Sequence, residues 1–285
     1  MTRDISGAWK SFANETGSGR TYVMIGIDAA DTKWAAGSSG LLWFNERSQG
    51  ARWGRITTAN STLTDNDISA FAVDRNGMLW MGSGTAGLSV ISFPSLVLRP
   101  SPSIPGISRL RLLRDQVIND IIVDPQNNKW VATNSGVWIL TEDGGDTIGY
   151  INKKRYPALL SDEIKSLALD PISGTVYIGT IQGMNSVQTL SIQPAAAFSL
   201  TAYPQPFHPS VDAHVVIDGL EADARLKITT LDGVLVRSLE TLSRKALWDG
   251  RDERGEYVQS GVYLALAVSQ SNTSTAVTKI LVIRK

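Results

Sequence analysis

Cysteine is absent from the 285 residues, so neither a disulfide framework nor a thiolate metal site can be drawn from this chain. Histidine is nearly absent: His208 and His214 stand six residues apart, too little material for a His-based zinc site or a Ser-His-Asp triad. An excess of one charge is lacking too, with 27 Lys and Arg against 27 Asp and Glu. A nucleic-acid binder needs a concentrated basic face, and none is expected here. No apolar run reaches the length of about eighteen residues that marks a membrane-crossing helix, and the N-terminus MTRDISGAWKSF has no signal-peptide core. What is present, 42% apolar and 19% charged residues, is the composition of a globular chain rather than a disordered one.

The strongest positive feature is internal repetition. Four segments align: 25–44, 70–91, 120–140 and 166–187. Each carries an aromatic at one position, Trp34, Trp80, Trp130 and Tyr177, at intervals of 46, 50 and 47 residues. An aspartate precedes each, Asp28, Asp74, Asp124 and Asp170, at six, six, six and seven residues. A glycine closes a second turn in all four, Gly40, Gly87, Gly136 and Gly183. Between the turns lie runs such as ISAFAV and KWVAT, too short for helices and rich in β-branched and aromatic residues. The aspartates suit tight hairpin turns, because Asx side chains bond nearby backbone, and no unit has the dense acidic ladder of a calcium loop. A lead-in upstream of each hairpin, clearest at 52–73, is expected to supply the outer strand of the preceding unit or a linker over its edge. Sheets repeating every 40 to 50 residues are the mark of propeller blades, with the aromatic packed between neighbours.

The segment NDISAFAVDRNGMLWMGSGTAGL at 66–88 resembles the two-component regulator propeller repeat almost position by position. The other units match in part: Asn134 and Ser135 break the third, and Tyr177 replaces tryptophan in the fourth. The resemblance implies β-propeller repeats over 1–190, with blades near 7–51, 52–100, 101–148 and 149–190. Four blades are fewer than the usual rings of this family, so the chain is expected to begin inside a larger propeller.

After residue 190 the composition changes. Residues 191–199 read as a linker, and 200–285 as strand-like runs separated by DG and RDERGE turns, the size of an Ig-like β-sandwich. The expected fold class is therefore all-β, propeller blades followed by a sandwich. Two motifs carry a second resemblance. Tyr203, Pro204, Gln205, Pro206 and Phe207 match a Y-P-N-P-F opening except at Gln205. Trp248, Asp249 and Gly250, running on to Gly261 and Tyr263, match W-D-G-R-D-x-x-G-x-x-V-x-S-G-V-Y. The tail thus resembles the FlgD-like immunoglobulin fold and, within it, the C-terminal sorting domain of type IX secretion. By themselves these residues read as core and turn positions, with Trp248 filling a sheet-edge pocket.

The two resemblances imply a non-catalytic protein, surface-located on the extracellular side of the outer membrane or secreted. Expected partners are proteins of the type IX machinery and an anionic lipopolysaccharide or glycan. The alternative is an extracellular glycan- or protein-binding propeller that its tail delivers. A hydrolase has no paired carboxylates or nucleophile–base set to stand on, and no cofactor is expected. Arg109, Arg111 and Arg114 in SRLRLLR are the one local charge feature, a candidate anion contact or a solvated strand edge.

Overall fold

The computed structural model describes residues 21–99, 103–239, 241, 244–270 and 273–284, together with the paired strands Thr2–Arg3 and Trp9–Lys10. The described residues are almost entirely strand and turn; the one helical element is the 3-10 turn Pro94–Leu98. The chain divides into two compact units, 1–121 and 122–285.

In the first unit two antiparallel sheets follow one another. The first runs in the order Tyr22–Ile27, Lys33–Gly37, Gly40–Phe44, Trp53–Ile56. The second contains Ile68–Val73, Leu79–Ser83, Gly87–Ile91 and Ile107–Arg109. Trp53–Ile56, the lead-in of the second repeat, is hydrogen-bonded as the outer strand of the first sheet, with Trp53 opposite Phe44. Their rings stack at 4.0 Å. One core joins the two sheets: Trp34, Leu41 and Trp43 of the first pack with Ile68, Phe71 and Met81 of the second.

A third sheet has the order Ile118–Val123, Lys129–Thr133, Gly136–Leu140, Thr147–Ile151, and the boundary between units falls within its first strand. A fourth, in the second unit, has three strands, Ile164–Asp170, Thr175–Thr180 and Gly183–Gln188. Trp130 and Val137 of the third sheet share a core with Leu167, Val176 and Ile178 of the fourth.

The remaining strands of the second unit form two sheets. Thr201–Tyr203, Val215–Asp218 and Lys245–Trp248 make one; Leu235–Leu239, Arg225–Thr230, Gly261–Val268 and Thr275–Val282 make the other, in that order. Alternating residues of both sheets bury one face into a single core, including Val215, Ile217 and Trp248 from one and Ile228, Ala265 and Ile280 from the other. The expected linker, 191–199, is bonded on both sides. Ser191 Oγ accepts the Gln126 N–H, Gln193 N–H donates to Pro171 O, and Ala195 N–H donates to Leu220 O.

Candidate functional site

The repeat positions singled out by the sequence serve one local device. In the first three sheets the aspartate closes the hairpin between the first two strands with one oxygen. Asp28 Oδ1 accepts the N–H groups of Ala30 and Thr32, Asp74 Oδ1 those of Asn76 and Met78, and Asp124 Oδ1 those of Gln126 and Asn128, all at 2.9 Å. The second oxygen accepts the indole N–H of the tryptophan six residues on: Trp34 and Trp80 at 2.9 Å, Trp130 at 3.2 Å. A buried indole N–H without an acceptor is costly, so one carboxylate satisfies both the turn and the largest core side chain. The sequence reading assigned the aspartates to turns and missed the indole bond; the constant spacing of six was its only trace.

The fourth repeat differs. Asp170 Oδ1 still accepts from Ile172 N–H at 2.9 Å, but Oδ2 takes the Ser173 hydroxyl at 2.7 Å. That hydroxyl, followed by the turn N–H groups, holds the Asp170 carboxyl below the usual carboxylate range. Tyr177 is 40% exposed, where the three tryptophans are buried.

All four turn glycines adopt positive φ, and at Gly87 (φ +72°) a Cβ would stand 2.1 Å from Leu113 O. Here backbone conformation and close approach both require glycine.

In the C-terminal sheets the two quoted motifs converge. Phe207 and Trp248 are wholly buried, with ring centroids 6.3 Å apart, and Trp248 meets Tyr263 edge-on at 5.5 Å. Trp248 lies on the edge strand of the three-stranded sheet and donates its indole N–H to Arg251 O at 2.9 Å. Asp249 Oδ1 accepts the Arg251 N–H at 3.0 Å. Gly250 has φ +78°, and a Cβ there would stand 2.8 Å from the Phe207 ring. Gly261 opens the strand that pairs with the last one, opposite Val282. The Tyr263 hydroxyl donates to Gln259 O at 2.8 Å, and burial pushes its pKa up. Tyr203, Pro204 and Pro206 are exposed, and the Tyr203 hydroxyl reaches Asp218 Oδ2 at 3.4 Å.

Gln205, the departure from the motif, clasps the last strand. Its Nε2 donates to Lys279 O at 2.8 Å and its Oε1 accepts the Leu281 N–H at 3.1 Å. Phe207 continues the contact, its N–H donating to Leu281 O and its carbonyl accepting the Ile283 N–H.

Arg109 donates from Nε to Ala86 O and from Nη2 to Arg114 O, at 2.8 and 3.0 Å, tying down the 110–114 turn; Arg109, Arg111 and Arg114 are all exposed. Among the described residues no group of three or more His, Asp or Glu could hold a metal ion. A cleft of about 380 Å³ lies in the second unit, with Trp130, Tyr150 and Tyr156 beside Gln126, Asn128 and Gln188.

A model of the two-component regulator propeller family matches residues 62–85, the heart of the second repeat. No curated protein matches. Solved structures do. Over nearly its whole length, the chain is similar to PorZ. That protein is described as an essential bacterial surface component of the type IX secretion system of Porphyromonas gingivalis. Identity is 29% at a TM-score of 0.64, over 99% of this chain and 41% of PorZ. The extracellular domains of a putative one-component system and a putative hybrid two-component system from B. thetaiotaomicron are more distant. They are 15% and 13% identical, with TM-scores of 0.42 and 0.46, covering 91% and 97% of this chain and 36% and 46% of theirs.

Proposed function

We propose that this chain is a non-catalytic surface or secreted component of a type IX secretion system, PorZ-like, acting as an adaptor or travelling as exported cargo. In this reading residues 1–190 are regulator-type propeller blades, 191–199 the linker and 200–285 an Ig-like sorting or anchoring domain. The carrying observation is the similarity to PorZ over 99% of the chain. The three-fold Asp–Trp device and the Phe207–Trp248–Tyr263 core support it, because they occupy the positions that the two motif resemblances name. These residues are structural: their polar atoms are bound to turns and backbone, leaving no acid–base pair poised for catalysis. Partners on this reading are proteins of the secretion machinery and an anionic lipopolysaccharide or glycan, for which the exposed Arg109, Arg111 and Arg114 are the candidate contacts.

Fractionation of the native cell, with mass spectrometry of the mature C-terminus, tests it. Surface protein that keeps residues 200–285 fits the adaptor, and surface protein that has lost them fits cargo. Protein confined to the cytoplasm sinks both. The cleft flanked by Tyr150 and Tyr156, with amides from Gln126, Asn128 and Gln188, favours a second reading, an extracellular glycan-binding module. Binding of neutral oligosaccharides that Tyr156→Ala abolishes would support it.

A further inference from the structure

The C-terminal four-stranded sheet buries one face in its core and carries an unusual pattern on the other. An antiparallel sheet packed on one side normally alternates apolar and polar residues. The strand Gly261–Val268 does not: Tyr263, Ala265 and Ala267 point into the core, yet Val262, Leu264, Leu266 and Val268 on the opposite face are apolar too. Residues directly across a strand pair share a face, so Leu281 beside Val262 and Val277 beside Leu266 widen the same aliphatic ridge. Val262, Val277 and Leu281 are exposed, and Leu264, Leu266 and Val268 are half-buried.

The charges of this sheet are all of one sign. Its four strands contain Arg225, Lys227, Arg237 and Lys279 and not one Asp or Glu, in a chain whose cations and anions balance overall. Arg237 is committed to Asp252 O. The other three belong to the ridge: Arg225 stands opposite Val268, Lys227 opposite Leu266, and Lys279, on the other side, opposite Leu264. All three are exposed, and none has an ion-pair partner among the described residues. An aliphatic ridge bordered on both sides by long, unpaired cationic side chains is an amphipathic surface, with stems that can lie along the ridge and heads that reach beyond it.

We propose that this face docks on an anionic lipid surface, with Arg225, Lys227 and Lys279 on headgroup phosphates and the Val262–Leu264–Leu266–Val277–Leu281 ridge at the acyl boundary. Charge complementarity selects the occupant. A polypeptide laid over the face would have to strip water from three separated cations and bring a carboxylate to each. Headgroup phosphates pair with cations wherever they stand, and acyl chains accept aliphatic side chains without a matching shape. The ridge also has no aromatic residue and no hydrogen-bonding side chain, the groups that anchor protein interfaces. The proposal goes beyond the secretion reading and needs no part of it, since it rests on the strand register and charges of the C-terminal sheet alone.

Co-sedimentation of the full chain with vesicles tests it, comparing phosphatidylglycerol mixed with phosphatidylcholine against phosphatidylcholine alone. The chain is expected to bind the anionic vesicles and not the neutral ones, and to release as salt rises from about 0.05 M to about 0.5 M. Lys227→Gln with Lys279→Gln should weaken binding about twenty-fivefold, about fivefold for each cation removed, while Lys227→Arg with Lys279→Arg should bind as the unaltered chain does. Val277→Asn with Leu281→Asn, at exposed positions, should weaken it at least about tenfold with the cations intact. Melting temperatures of all variants check that the fold is kept. Absence of vesicle binding overturns the proposal, as does equal binding to neutral vesicles or binding indifferent to the glutamine pair. Binding that the asparagine pair leaves unchanged overturns it too, because the contact is then ionic only. So does binding to soluble polyglutamate as tight as to vesicles of equal charge, which makes an acidic polypeptide the occupant.

Discussion

The bond between Asp74 and Trp80 offers the sharpest test of how these sheets are held. Asp74→Ala removes the acceptor of a wholly buried indole N–H, 2.9 Å away, together with the oxygen that closes the Asn76 and Met78 turn bonds. A buried donor left unmatched costs about 1–3 kcal/mol, and each lost turn bond about 0.5–1.5 kcal/mol. The single variant is therefore expected to lose about 3 kcal/mol, a figure that mixes both roles. A double-mutant cycle with Trp80→Phe separates them, because phenylalanine keeps most of the apolar burial and removes only the donor. The coupling energy between the two sites should be about 1–3 kcal/mol. The same cycle on Asp170→Ala and Tyr177→Phe is the internal control: Asp170 gives its second oxygen to Ser173, and coupling there should be within about 0.5 kcal/mol of zero. Urea denaturation read by tryptophan fluorescence, with protection of the Trp80 indole N–H by NMR, supplies both numbers. Equal coupling in the two cycles, or none in the first, would refute the claim that the carboxylate holds the indole.

Three further outcomes follow from the geometry. Gly87→Ala should cost about 3 kcal/mol or more, since φ is +72° and the new Cβ meets Leu113 O, whereas Gly77→Ala, with φ +77° and open space, should cost about 1 kcal/mol; denaturation midpoints compare them. Trp248→Ala should lose about 3–5 kcal/mol by emptying the centre of the C-terminal core and orphaning Arg251 O, seen as loss of near-UV dichroism and a lowered melting temperature. Burial of Asp65 opposes its ionisation, but hydrogen bonds from Ser83, Thr85 and the Asp67 and Asn66 N–H groups outweigh it and hold the carboxyl below its ordinary value. Its folded pKa lies below the unfolded one, so its contribution is complete above the unfolded carboxylate pKa and fades as pH falls through the folded value. The melting-temperature gap between the unaltered chain and Asp65→Asn should accordingly shrink in acid; a gap unchanged from neutral pH to acid would contradict this.

Much of the strand order was legible because it is written locally. Each hairpin is signalled within a dozen residues by an aspartate, a glycine and an aromatic, and Gly40, Gly87, Gly136 and Gly183 take the positive φ that their turn positions demand. The indole acceptor was less legible, since Asp74 already had a sufficient role in the turn. Tyr177 could not be distinguished from the tryptophans by spacing; its exposure depends on whether another sheet lies against it, which is not a local property. Gln205 looked like a defect in its motif because its partners, Lys279 and Leu281, are more than seventy positions away. The bonds from Arg109 to Ala86 O and Arg114 O were not legible either, because carbonyl partners carry no side-chain signal in the sequence.

The clasp by Gln205 and Phe207 also has a temporal side. Gln205 and Phe207 find their long-range backbone partners in residues 279–283, and Phe207 lies in the same core as Ile280 and Val282. During synthesis these early residues wait for nearly the whole remaining length of the unit. Until then Phe207, Val215 and Trp248 lack the strand that closes over them, and long-range closure of this kind is slow. Until residues 279–283 have been made, this unit is therefore an open chain.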